Sequence, residues 1–75
     1  MNFAISNSTA IEAIALEDNT ATVTFNGGRD YDYAVNDVTA FVTSLSNVIE
    51  QGESVGRFVN TAIKDETLQR IAAWG

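Results

Sequence analysis

The chain has 75 residues, of which 45% are hydrophobic, and this length allows one domain built around a single core. Ten carboxylates against four cations give a net charge of −6, which disfavours a nucleic-acid partner bound through a broad basic surface. Histidine and cysteine are both absent, so the sequence lacks the usual general base, the thiol nucleophile, soft metal ligands and any disulfide framework.

Localisation is predicted from the same composition. No apolar run approaches the roughly 20 residues that cross a bilayer, and the first residues lack the basic region of a signal peptide. A cysteine-free chain without these signals is expected to be cytoplasmic, with no membrane partner. In that compartment we interpret the glycosylation sequon at Asn7 as a chance match.

The first two segments carry weaker signals than the rest of the chain. Residues 1–8 are polar and aperiodic apart from Phe3 and Ile5, so we expect the first few to be loose. Residues 9–17 begin with a capping-box pattern typical of a short helix. The same residues also fit a strand with Ile14 and Leu16 on one face, and strand pairing has to decide between these alternatives.

Residues 20–25 alternate threonine with apolar side chains, which is the period of a strand. A glycine turn separates them from residues 29–35, which alternate in the same way. A two-residue Gly27-Gly28 loop would place Phe25 opposite Asp30 and join an apolar face to an acidic one. A three-residue loop that includes Asn26 instead aligns the apolar faces, so we predict that loop with a left-handed glycine. It pairs Phe25 with Arg29, Val23 with Tyr31 and Ala21 with Tyr33.

Alignment of the apolar faces also favours a strand for residues 11–17. A two-residue turn at Asp18-Asn19 pairs Leu16 with Ala21 and Ile14 with Val23. Three strands then form an antiparallel meander with residues 20–25 in the centre. The predicted inner face contains Ile14, Leu16, Ala21, Val23, Phe25, Tyr31 and Tyr33. The predicted outer face contains Ala13, Ala15, Thr22, Thr24, Asp30 and Asp32.

The second half of the chain predicts helices that cover the inner face. One apolar stripe is formed by Val38, Phe41, Val42, Leu45, Val48 and Ile49, with Asn36 or Asp37 as the N-cap and Gly52 at the end. Ser54 is the expected N-cap of a second helix, whose stripe is Val55, Phe58, Val59, Ala62 and Ile63. Residues 65–73 either continue this helix or form a third, and Trp74 either folds back onto the core or stays exposed. We therefore predict an α+β fold in which a three-stranded antiparallel meander packs on one face against two or three helices.

The order of these patterns resembles the KTSC domain, which is named for its occurrence at the C-terminus of some lysyl-tRNA synthetases and also occurs alone in bacteria and phages. The matching residues are Ser8, Ile11, Ile14, Val23, Phe25, Tyr31, Tyr33, Val35, Ser54, Gly56, Arg57, Phe58, Asn60, Ile63 and Lys64. Two features depart from the family pattern: Asn36 stands where proline is common, and the stretch between Leu45 and Ser54 is longer. The resemblance implies a single KTSC-like domain over residues 1–75, with a core from about residue 8 to 65 and a C-terminal helix over 65–74. It also implies an α+β fold and, through the synthetase association, RNA binding.

The residue types do not favour catalysis. Asp30 and Asp32 lie about 6.6 Å apart by the strand rise, a spacing compatible with a glycosidase pair. On an open sheet face, however, water would solvate both, and we interpret them as part of a soluble outer face. No dense loop of oxygen ligands predicts a metal site, and the serines and threonines have no partner base. We predict a protein that is not an enzyme and that has neither a cofactor nor a metal.

Candidate binding residues fall into two groups. Tyr31 and Tyr33 have rings that stack on bases in RNA-binding sheets, although packing beneath the helices is the favoured interpretation. Arg57, Asn60 and Lys64 recur at helical spacing and form a small basic patch, for which the alternative is a solvated helix face. We therefore predict a small, non-catalytic protein–protein interaction module of bacterial or phage origin. RNA or tRNA binding through the Arg57, Asn60 and Lys64 face is the alternative, and a homodimer is a further candidate assembly.

Overall fold

The computed structural model describes residues 1–5 and 10–71, which form a five-stranded antiparallel sheet and two helices. The strand order follows the chain, β1-β2-β3-β4-β5, and both helices lie between β4 and β5 in sequence. The elements are β1 Asn2–Ala4, β2 Ile11–Glu17, β3 Thr20–Phe25, β4 Arg29–Val35, α1 Val38–Glu50, α2 Val55–Lys64 and β5 Leu68–Arg70.

The three central strands have the predicted register, and residues 11–17 are a strand rather than a helix. The turn between β2 and β3 has the predicted two residues, and the turn between β3 and β4 has the predicted three. The three-residue loop contains two left-handed glycines, Gly27 with φ of 100° and Gly28 with φ of 84°. The pairs that join the apolar faces are Ile14 with Val23, Leu16 with Ala21, Ala21 with Tyr33, Val23 with Tyr31 and Phe25 with Arg29.

A β-bulge in β2 adds to the inner face. Ile11 pairs with Phe25 and Ala13 pairs with Thr24, so Glu12 is an extra residue in this strand. Simple alternation from Ile14 would turn Ile11 toward the outer face. The bulge reverses that direction, and Ile11 is only 1% exposed.

The prediction of a three-stranded sheet is wrong because a short strand is added at each edge. At the first edge, Phe3 pairs with Ile14, and the amino group of Met1 donates a 2.9 Å hydrogen bond to the carbonyl of Leu16. The Leu16 N–H donates in turn to the Met1 carbonyl at 2.7 Å. The first residues are therefore paired with β2 rather than loose. The sequon at Asn7 lies outside the described residues.

The predicted helical continuation after residue 64 is also wrong. Helix α2 ends at Lys64, and Glu66 has a left-handed φ of 66°, which turns the chain back toward the sheet. Leu68 then pairs with Val35 in β4. The backbone groups of β5 thus hydrogen-bond to the edge of β4 instead of completing a third helix. The predicted position of Trp74 lies outside the described residues.

Both helices begin at predicted caps. The Asp37 Oδ1 accepts a hydrogen bond from the Ala40 N–H at 3.1 Å, and the Ser54 Oγ accepts one from the Arg57 N–H at 3.2 Å. Helix α1 ends at Glu50, and Gly52, the glycine predicted to terminate it, follows two residues later with a left-handed φ of 70°. Of the alternatives for the first cap, the structure therefore has Asp37 and not Asn36.

The core lies between the inner face of the sheet and the two helices. Its most deeply buried large side chains are Ile11, Ile14, Val23, Phe41, Leu45, Val55, Val59 and Leu68. Phe25 and Tyr31 are half-buried at the margin, whereas Asp30 and Asp32 are exposed, as predicted. Neither of the helices in the described part of the chain has the length and apolar character needed to cross a membrane.

Candidate functional site

The two tyrosines occupy different environments on the inner face of β4. Tyr33 is only 6% exposed and belongs to the core, which confirms the packing interpretation for this residue. Tyr31 is half-buried, and its ring meets Phe25 edge-on, with ring centroids 5.5 Å apart and planes at 71°. The guanidinium of Arg70 lies over the Tyr31 ring, a contact that the sequence reasoning missed because residue 70 was assigned to a helix.

The predicted basic face of α2 is solvent-accessible. Arg57, Asn60 and Lys64 are all exposed, and neither cation is in an ion pair with a described residue. Arg57 lines a surface cleft, whereas Asn60 and Lys64 are not among the residues lining that cleft or its neighbour. Of these three predicted residues, the structure therefore brings only Arg57 to the wall of a cleft.

A first cleft lies where the start of α1 meets the end of α2. Its volume is about 270 Å³, and its floor contains the rings of Phe41 and Phe58, whose centroids are 5.5 Å apart. Phe41 is buried, whereas Phe58 is half-buried and so keeps part of its surface accessible. The lining residues are Asn36, Asp37, Ala40, Phe41, Ser44, Phe58, Thr61, Ala62, Asp65 and Thr67.

A second cleft of about 380 Å³ continues from the first along the helix pair. The two clefts share Phe58 and Thr61, so together they form one depression, which we call the inter-helix groove. The lining residues of the second cleft are Val48, Glu53, Ser54, Arg57, Phe58 and Thr61. Half-buried Phe58 is therefore the residue around which the groove is organised.

The first cleft is the acidic end of the inter-helix groove. Asp37 and Asp65 both line it, and no lysine or arginine does. The side-chain hydroxyl of Thr67, with its backbone N–H, donates hydrogen bonds that hold the pKa of the Asp65 carboxyl below its ordinary value of 3.8. The partial charges of the α1 N-terminus and the α2 C-terminus have opposite signs here, so the two carboxylates set the charge of this end.

The outer face of the sheet carries the paired aspartates. The Thr22 hydroxyl donates a 2.7 Å hydrogen bond to Asp32 Oδ1 on this exposed surface. Within residues 1–5 and 10–71, no group of three or more acidic, histidine or cysteine side chains is arranged to hold a metal ion. The structure does not enclose Asp30 and Asp32 in any of the clefts described above.

The parts of the groove are predictable from the sequence, but the groove itself is not. Asp37 was identified only as a cap, Phe58 only as a member of an apolar stripe, and Asp65 as part of a helix. One pattern in the sequence does indicate the groove. Thr61 follows Phe58 by three residues on the same helix, and a polar residue in this position beside a large ring is typical of the margin of a buried stripe. A position at that margin is where a groove between two helices opens.

The chain matches no protein-family model, and no match is found among curated proteins or solved structures. The resemblance to the KTSC domain therefore stays a prediction, and the groove has to be interpreted from its own chemistry.

Proposed function

We propose that this chain is a cytoplasmic, non-catalytic binding module that holds a protein partner in the inter-helix groove. The observation that supports this proposal is the half-buried Phe58 at the junction of the two clefts. An apolar floor with a polar rim between two helices is the kind of surface that receives a segment of another chain.

The composition of the groove also supports a protein partner. Apolar atoms of Phe41, Phe58 and Val48 provide the floor, while the hydroxyls of Ser44 and Thr61 provide hydrogen-bond donors and acceptors at the rim. Clefts of about 270 and 380 Å³ have room for individual side chains of a bound segment. A nucleic acid would instead meet acidic residues at the rim of the first cleft.

Site-specific photo-cross-linking tests this proposal. A benzoylphenylalanine at exposed Thr61 samples the groove, and the same group at exposed Ala34 samples the outer face of the sheet as a matched control. We expect a protein cross-link in bacterial lysate from position 61 that is absent from position 34. Substitution Phe58→Ala should reduce the cross-link, because it removes the ring on which the partner packs. Equal cross-linking from both positions would contradict the proposal.

RNA or tRNA binding is the second candidate, supported by Arg57 and Lys64 on α2, which are exposed and form no ion pair with another described residue. Two phosphate contacts to a single strand give a slope of log K against log salt of about −1.4, a weak dependence. We expect the double variant Arg57→Glu, Lys64→Glu to abolish retention of tRNA at low salt, while Arg29→Glu, at an exposed cation on the sheet, preserves it. Absence of retention by the unmodified chain at low salt would remove this candidate.

A further inference from the structure

We infer that the acidic end of the inter-helix groove receives a lysine or arginine side chain of the partner. The inference rests on the proposed function and specifies its chemistry. Asp37 and Asp65 converge on one cleft whose described lining contains no cation. Two carboxylates without a counter-charge make a site that favours a cation over a neutral or anionic group.

The carboxylates retain acceptor capacity for such a ligand. The Ala40 N–H donates to Asp37 Oδ1 at 3.1 Å, and the Thr67 N–H donates to Asp65 Oδ1 at 3.0 Å. With the Thr67 hydroxyl bond, these hydrogen bonds occupy one of about four lone-pair sites on Asp37 and two on Asp65. The same bonds fix the orientation of both side chains through the backbone, so that binding does not have to immobilise freely rotating carboxylates.

The floor of the cleft matches the rest of a long basic side chain. Lysine and arginine carry apolar stems that pack along hydrophobic surface while the charged group stays at the rim. Ala40, Ala62 and Phe58 provide that surface beside the two carboxylates. The half-buried Phe58 is also an aromatic residue, the type of side chain that attracts a guanidinium or ammonium group.

The opposite end of the groove gives the bound segment a direction. Glu53 and Arg57 both line the second cleft, so this end contains one charge of each sign. Of the two clefts of the groove, the first is the one whose described lining residues carry charge of a single sign. A basic side chain is therefore accepted at the Asp37 and Asp65 end and defines the orientation of the segment.

Titration with small probes tests the charge preference without knowledge of the partner. We would add n-butylguanidinium, n-butylamine and the neutral n-butylurea to the ¹⁵N-labelled full chain and follow the amide signals of Ala40, Ala62 and Thr67. Both cations should give saturable shifts, with affinity at least threefold higher than that of butylurea. The double variant Asp37→Asn, Asp65→Asn keeps good capping residues and should lose about three- to tenfold in affinity for the cations but not for butylurea.

Equal affinity for butylguanidinium and butylurea, or unchanged cation affinity in the double variant, would overturn the inference. A well-dispersed amide spectrum of the variant excludes unfolding as the reason for any loss. Increased salt should weaken the binding of the cations and leave that of butylurea unchanged.

Cross-linking from Thr61 in the double variant separates this inference from the proposed function. An unchanged protein cross-link would preserve the groove as a binding site and overturn the role of the carboxylates. Charge-dependent probe binding without any protein cross-link would support the cation site and contradict the protein-binding function. A cross-link that joins two copies of this chain would identify a second copy as the occupant and overturn the inference of a separate partner.

Discussion

The guanidinium carbon of Arg70 lies 4.0 Å from the ring centroid of Tyr31, so a cation on the last strand covers an aromatic ring on the strand beside it. Strand β5 has three residues, and this contact adds a side-chain link to its backbone pairing with β4. Phe25 meets the same ring edge-on from β3. Three neighbouring strands are therefore connected through the half-buried ring of Tyr31.

Removal of this cation should weaken the edge of the sheet. We expect Arg70→Ala to lower the free energy of unfolding by about 0.5–1 kcal/mol, the contribution of a cation–π contact at an accessible site. Gln69→Ala on the same strand provides the control, because Gln69 is exposed and its change should stay within about 0.5 kcal/mol. Urea unfolding measures both, and equal midpoints for the two variants would contradict a stabilising contact.

The assignment of residues 68–70 to a strand has a direct test in solution. The Asn36 N–H donates to the Thr67 carbonyl and the Ile71 N–H donates to the Asp32 carbonyl, so Leu68 faces Val35 in a non-hydrogen-bonded pair. In such a pair the two α-protons are close together. We expect an α-proton NOE between Leu68 and Val35. Strong sequential amide NOEs over these residues, typical of a helix, would contradict the strand.

The end of α1 depends on the backbone of Gly52. The Glu53 N–H donates to the Val48 carbonyl and the Gly52 N–H donates to the Ile49 carbonyl, the two bonds of a Schellman motif. An added Cβ at Gly52 would meet no atom within 4 Å, so the cost of Gly52→Ala comes only from its left-handed φ of 70°. We expect a loss of about 1–2 kcal/mol in thermal or urea unfolding.

Gly52→Asn is the matched control, because asparagine tolerates the left-handed region better than alanine. The asparagine variant should therefore unfold at a higher urea concentration than the alanine variant. The opposite order would show that space around the residue, rather than its backbone conformation, determines the effect.

The Asp65 carboxyl should contribute to stability in a defined pH range. Hydrogen bonds from the Thr67 hydroxyl and backbone N–H lower its pKa in the folded state below 3.8. Its contribution is thus present above the unfolded pKa and is lost as the pH falls through the folded value. We expect Thr67→Val, which keeps the backbone donor, to raise the pKa of Asp65 toward its ordinary value in a ¹³C carboxyl titration. Thr24→Val should not change it, and an unchanged pKa in Thr67→Val would contradict the role of the hydroxyl.

The central strands and the caps were predictable because local chemistry determines them. The glycine loop aligns Phe25 with Arg29, and any one-residue slip would have placed Asp30 against an apolar face. Ser54 has a side chain suited to an N-cap directly before an apolar stripe. In each case the register or the cap is determined by residues that lie close together in the sequence.

The edge strands were not predictable in the same way. Leu68 and Ile71 have the three-residue spacing of a helix, and a strand of three residues is too short to show a period of two. Pairing with the free edge of β4 overrides that local preference, and this edge is distant in sequence. The groove escaped prediction for a related reason: Asp37 and Asp65 come together only because α1 and α2 return the chain to the same side of the sheet.

The pairing of Val35 with Leu68 has a kinetic consequence. Turns of two and three residues join β2, β3 and β4, so these strands close small loops with little entropy to lose. Both helices lie between β4 and β5 in the chain, so pairing of these two strands closes a much longer loop. From this difference in loop length we expect the meander to pair early in folding and β5 to dock on β4 late.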